Sequence, residues 1–195
     1  MAEVRVGLEP EAALPPGSRP LSGGVILRVL EPRAYVRLQV ARRHISEAAS
    51  IRIHDVPLPT AANRCHGDDP AVLWTAPDGW LLTSQELAGD ELREIVRIAC
   101  GKRTAAAVDA SDALVTLEVS GPQARELLAR GTGIDLAANA FGPGQCARTR
   151  LAQLAVIVRP RHDSMLELIV DRAPAAWLCN WLADASVALS KENFE

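Results

Sequence analysis

The sequence has no CxxC pair, no apolar run near the length of a membrane span and no surplus of positive charge. Each absence removes a class of protein. The four cysteines, Cys65, Cys100, Cys146 and Cys179, are scattered across 195 residues. That spacing suits buried thiols in a reducing compartment better than a disulfide framework. A helix that crosses a bilayer needs roughly 20 consecutive apolar residues, and none of that length occurs. Residues 1–20 lack an uninterrupted apolar segment followed by a cleavage site, so secretion is not indicated. The net charge is −3 with both signs interspersed, which offers no basic stripe for phosphates and argues against a nucleic-acid partner. These absences predict a soluble cytoplasmic protein.

Catalytic signatures are missing as well. There is no G-x-S-x-G, and none of the histidines (His44, His54, His66, His162) lies near a recognisable nucleophile motif. Gly131-Thr132-Gly133 and Gly142-Pro143-Gly144 do not follow a strand to open a helix, as a phosphate loop would. Cys65, His66, Asp68 and Asp69 gather in five residues with no second ligand pair to close a tetrahedron, so they read as a solvated acidic loop. Hence no catalytic, cofactor-binding or metal-binding residue is assigned to this chain.

What is present is an ordinary globular composition, 48% hydrophobic and 23% charged, in a chain long enough to bury a real core. Residues 7–24 hold four prolines and four glycines among sparse apolar residues. This predicts residues 1–24 as a flexible or partner-ordered arm. Residues 25–190 then read as one domain in two αβ halves, about 25–101 and 102–190. Val25, Leu27 and Val29 alternate, residues 35–40 continue as a second extended run, and Glu31-Pro32-Arg33 between them suggests a hairpin. A short helix over 42–50 and a loop over 54–70 follow. Pro77-Asp78-Gly79 joins strands over 71–76 and 80–84, with Trp74 and Trp80 facing each other across them. Leu92, Ile95, Val96 and Ala99 recur at helical spacing ahead of Gly101.

The second half repeats the pattern. Strands are predicted over 105–109 and 114–119, then a helix capped by Ser120 with Pro122 in its first turn and Gln123 in capping-box position. Two more strands, 148–158 and 165–170, flank the polar turn 161–164. Pro174 opens a last helix carrying the stripe Trp177, Leu178, Trp181, Leu182. Strand pairs followed by helices give an α+β fold of antiparallel strands with packed helices.

Four residues form the candidate interface. Trp177 and Trp181, one helical turn apart, suit either a docking patch or closure of the chain's own core. Arg148 and Arg150 flank Thr149 on a strand and so share one face. They can clamp a carboxylate on a small molecule or partner chain, or form a charged solvent face. Asp109 and Asp112 read as turn or cap residues.

The order V-L-W-T-A-P-D-G-W-L-L, V-D-A-S-D-A-L-V-T-L-E-V-S-G-P-Q-A-R-E-L-L, G-I-D-L and F-G-P-G-Q-C-A-R-T-R-L-A spans most of the chain from Pro70 onward. It resembles the aminomethyltransferase (glycine-cleavage T-protein) superfamily and, within it, the gamma subunit family of heterotetrameric sarcosine oxidases. The resemblance implies a fold similar to the folate-binding lobes of the T-protein. It implies a packing partner of alpha, beta and delta subunits in a complex that demethylates sarcosine to glycine. FAD, FMN, NAD and tetrahydrofolate are then expected on the other subunits and none on this chain. Subunits of a related N-methyl amino acid dehydrogenase, a stand-alone folate-binding module or a free scaffold are the alternatives.

Overall fold

A computed structural model describes residues 14–190. In chain order the strands and helices are β1 (Gly17–Pro20), β2 (Ile26–Val29), β3 (Ala34–Val40), β4 (Arg52–Ile53), β5 (Val56–Pro57), β6 (Cys65–His66), β7 (Ala71–Ala76), β8 (Gly79–Ser84), α1 (Gly89–Cys100), β9 (Ala105–Asp109), β10 (Leu114–Ser120), α2 (Ala124–Ala129), β11 (Ala147–Leu151), β12 (Leu154–His162), β13 (Met165–Asp171) and α3 (Arg172–Val187). Segments Ser22–Gly24, Arg42–Ser50 and Ala188–Ser190 are 3-10 turns. Two antiparallel sheets carry the fold, in the strand orders β1-β2-β10-β13-β12-β11 and β6-β7-β8-β3-β9.

Alternation along the strands makes four layers. On β13, Leu166, Leu168 and Val170 enter a core shared with Leu127 and Leu128 of α2 and Leu178 and Leu182 of α3. Ile169, on the opposite face, packs toward the second sheet with Tyr35, Leu73, Leu81 and Leu114. On β3, Val36, Leu38 and Val40 point away from the first sheet, into a core closed by Leu92, Val96 and Cys100 of α1. The order is therefore helices, sheet, sheet, helix, with each sheet buried on both faces. Fully burying one Leu or Val contributes about 1.5–3 kcal/mol, so the three clusters dominate the stability of the fold.

The predicted hairpin of β2 with β3 does not form. Val25 and Leu27 belong to the core under α2 and α3, whereas Val36 and Leu38 belong to the core under α1. The two strands consequently join different sheets: β2 pairs with β1 and β10, and β3 with β8 and β9. The chain crosses back between β9 and β10. These two crossings lie side by side, since Ala110 N–H donates to Tyr35 O (2.8 Å), Tyr35 N–H to Ser111 Oγ (3.0 Å) and Leu30 N–H to Thr116 O (3.0 Å). The two cores thus divide the chain at the crossings 30–33 and 110–113, and each sheet draws on both sides of residue 101.

Three further expectations need correction. The strand predicted over 148–158 is two strands, β11 and β12, because Ala152 and Gln153 adopt φ of 47° and 73° and make a two-residue turn. Ser120 does not cap α2. It is the last residue of β10, opposite Met165, and Gly121 (φ 118°) turns the chain so that the helix starts only at Ala124. Residues 54–70 hold two short strands instead of a bare loop, with β5 in a small hairpin with β4 and β6 paired to β7. Of the expected arm, residues 1–13 lie outside the described residues. Gly17–Pro20 is an edge strand on β2.

Candidate functional site

α3 follows β13 without a loop, and its 3.6-residue period splits the expected tryptophan stripe. Leu178 and Leu182 are fully buried, while Trp177 lies on the flank, 51% exposed. Trp181 is half-buried above Gly131, where an added Cβ would stand 2.5 Å from its ring. That close approach is why the loop after α2 carries glycine at this position. Trp177, Trp181, Pro174, Leu154 and Arg130 line an open groove of about 620 Å³.

Arg148 and Arg150 share one face of β11, as predicted, and both are exposed. Neither has an ion-pair partner among the described residues. Their face looks toward the second sheet, and Arg148 borders a groove of about 640 Å³ where the two sheets diverge. Arg37, Thr75, Val108, Ile157 and Asp171 also line it, with Arg37 and Asp171 in an exposed ion pair of 3.5 Å. The structure therefore puts Trp177 and Trp181 in one groove and Arg148 at the border of another, with Arg150 outside both linings.

The remaining sequence candidates fold into structural roles. Asp109 Oδ1 accepts the backbone N–H (2.9 Å) and the hydroxyl (2.6 Å) of Ser111, and these bonds hold its carboxyl below the usual carboxylate range. This is the turn-forming role predicted for it. The cluster Cys65, His66, Asp68, Asp69 is dispersed over separate partners. Cys65 Sγ donates to Gln145 O (3.4 Å), His66 Nδ1 meets Pro57 O (2.9 Å), Asp68 pairs with Arg161 (3.2 Å), and Asp69 accepts the Ser84 hydroxyl and the Gln85 N–H. All four cysteines are free and buried, and burial pushes their thiols up, Cys146 to about 12. High thiol pKa values make poor nucleophiles. Trp74 and Trp80 are register partners across the β7–β8 hairpin.

One cluster was not read from the sequence. Glu167 lies between Arg33 and Arg159, 3.7 Å from each, with all three side chains less than a tenth exposed. Arg159 Nη2 also donates to Gly67 O (3.0 Å). Nearby, buried Tyr35 and Thr116 join their hydroxyls, and desolvation raises the Tyr35 phenol to about 12. The signal was available in M-L-E-L-I-V, because a carboxylate inside an alternating apolar strand must face a second buried layer. These groups tie the two sheets together. The described residues hold no group of three or more His, Cys, Asp or Glu placed to bind a metal ion.

Residues 41–188 match the family described as sarcosine oxidase, gamma subunit family. The sarcosine oxidase subunit gamma of Corynebacterium sp. strain U-96 is 27% identical over 177 residues, covering 90% of this chain and 83% of that protein. An Arthrobacter protein of the same description is 29% identical, covering 84% and 81%. Among solved structures, a chain of the heterotetrameric sarcosine oxidase from Corynebacterium sp. U-96 superposes with a TM-score of 0.78 at 26% identity, over 88% of this chain and 89% of that one. The glycine cleavage system aminomethyltransferase T from Bartonella henselae shares the fold, with a TM-score of 0.59 at 12% identity over 83% of this chain and 46% of that one. With its fold and most of its length matched in this way, the chain belongs to the sarcosine oxidase gamma subunit family.

Proposed function

We propose that this chain is a non-redox subunit of a heterotetrameric oxidoreductase that demethylates sarcosine to glycine. The observation that carries the reading is the near end-to-end match to a chain of the U-96 heterotetramer, 88% of this protein against 89% of that one. The internal chemistry agrees with a packing role. Buried Arg33, Glu167 and Arg159 are spent on ion pairs, and buried Tyr35 and Thr116 on a hydroxyl pair that fastens one sheet to the other.

In this reading the partners are alpha, beta and delta subunits, FAD, FMN, NAD and tetrahydrofolate sit on those chains, and the assembly is cytoplasmic. Trp177 and Trp181 supply an apolar anchor of the kind that dominates protein interfaces. Arg148 and Arg150 supply charge that has no ion-pair partner among the described residues. Co-expressing the flavin-bearing chains with and without this subunit tests the reading. Soluble, sarcosine-oxidising complex only in its presence supports it, and full yield and activity in its absence overturns it.

A further inference from the structure

The two sheets present four edge strands, β1, β11, β6 and β9, and an open edge is a template for a foreign strand unless something blunts it. Three are blunted. β1 is four residues long and ends in Pro20, which has no N–H to offer. β11 carries Arg148 and Arg150 along its exposed face, and Thr149 Oγ1 meets Thr132 Oγ1 at 3.3 Å. β6 has two residues and is covered by the segment before β11, where Cys65 N–H donates to Gly144 O and Cys146 N–H to Asn63 O, both at 3.0 Å.

β9 is different. It reads Ala-Ala-Ala-Val-Asp, with four of its five residues exposed and Val108 57% exposed. Ala110 N–H to Tyr35 O and Ala41 N–H to Thr104 O, both 2.8 Å, bracket its pairing with β3. In an antiparallel ladder the bonded pairs alternate, so Ala106 and Val108 turn their backbone groups toward β3. The N–H and C=O of Ala105, Ala107 and Asp109 point outward, and none has a partner among the described residues. α1 covers the Ala107 side of the strand, while Ala106 and Val108 look into the 640 Å³ groove that Arg148 borders.

We infer that β9 is a docking edge, to which an extended segment of another subunit adds as a sixth strand of the second sheet. The small side chains leave room for a close backbone approach, and the six outward groups match those of an added strand. The guanidinium of Arg148 across the groove, with no ion-pair partner among the described residues, selects a segment bearing a carboxylate on that face. The inference rests on the subunit reading above, and names the surface through which assembly proceeds.

Hydrogen exchange measured on the intact complex tests it. The amides of Ala105, Ala107 and Asp109 then exchange at least about a hundredfold more slowly than an exposed edge. A second measurement uses Ala105→Pro, which removes an outward N–H and leaves every bond to β3 in place. It weakens assembly about tenfold or more while the chain's own unfolding midpoint stays unchanged. Free exchange at these amides in an intact complex, or normal assembly of a folded A105P chain, overturns the inference and leaves the subunit reading standing. Protection that arises from a second copy of this chain overturns the choice of occupant. Absence of any complex overturns the subunit reading and this inference with it.

Discussion

Arg159 and Glu167 are register partners on β12 and β13, and their charged ends lie 3.7 Å apart between the two sheets. Arg33 approaches the same carboxylate from the first crossing, again at 3.7 Å. Arg33 has this carboxylate as its one ion-pair partner among the described residues, whereas Arg159 also reaches Asp68 Oδ1 at 3.4 Å, and water cannot replace the carboxylate at so buried a place. Removing one partner of a buried ion pair costs about 3–5 kcal/mol, because a charge is left uncompensated. Glu167→Ala is therefore expected to lower the urea-unfolding free energy by about that amount, and Glu167→Gln by less. An effect of Glu167→Ala under about 1 kcal/mol, typical of an exposed pair, would show that the cluster is solvated.

Alkaline pH should destabilise the fold in a defined window. Tyr35 is raised from 10.0 to about 12 and Cys146 from 9.0 to about 12, both mainly by burial. Each group stays protonated in the folded chain after its unfolded counterpart has ionised. Its stability contribution is complete below the unfolded pKa and is lost as pH rises toward the folded one. The unfolding free energy should fall from about pH 9, steepening above pH 10, by about 1.4 kcal/mol per pH unit for each such group. Tyr35→Phe should flatten the part between pH 10 and 12, and an unchanged slope in that variant would contradict the burial of the phenol.

The turn between β11 and β12 holds a non-glycine residue at each left-handed position, with φ of 47° at Ala152 and 73° at Gln153. Left-handed backbone costs an L-residue about 1–2 kcal/mol, and glycine at the second position of such a turn relieves it. Gln153 is exposed, so Gln153→Gly removes no packing. It is expected to raise the unfolding free energy by about 0.5–1 kcal/mol, measured by urea titration. A loss of stability would count against the turn geometry.

Trp177 separates assembly from folding. Its ring is half in solvent, while its neighbours Leu178 and Leu182 close the core. Trp177→Ser should therefore leave the unfolding midpoint nearly unchanged and weaken subunit assembly about tenfold, or about 1.4 kcal/mol. Leu178→Ala should instead cost about 2–5 kcal/mol of stability. Full-strength assembly of the Trp177 variant would remove that flank from the interface.

What was legible in the sequence was local. Pro77-Asp78-Gly79 marks its hairpin because the turn residues act on their own backbone, and Leu92, Ile95, Val96 and Ala99 mark α1 because a helix face is set by spacing. Exchange of strands between sheets was not legible. Val29 and Val36 carry the same alternating pattern, and only the distant residues they pack against decide that one joins β10 and the other β8. The hairpin turn at Ala152-Gln153 escaped for a related reason, since neither residue is one that turns usually select. Among candidate site residues, the shared face of Arg148 and Arg150 and the turn role of Asp109 followed from sequence. The Arg33–Glu167–Arg159 cluster needed the two crossings to bring together residues 126 and 134 positions apart along the chain (159 − 33 and 167 − 33).

A chain that works as part of a larger oxidase is recovered from cells together with its partners. Purifying the tagged protein from its own cells, and recording its absorption spectrum and its oxygen uptake with sarcosine, tests that most directly. The expected result is a yellow complex in which flavin-bearing chains accompany this one in equal amounts and consume oxygen when sarcosine is added. A colourless chain recovered alone, with no sarcosine-dependent uptake, would contradict it.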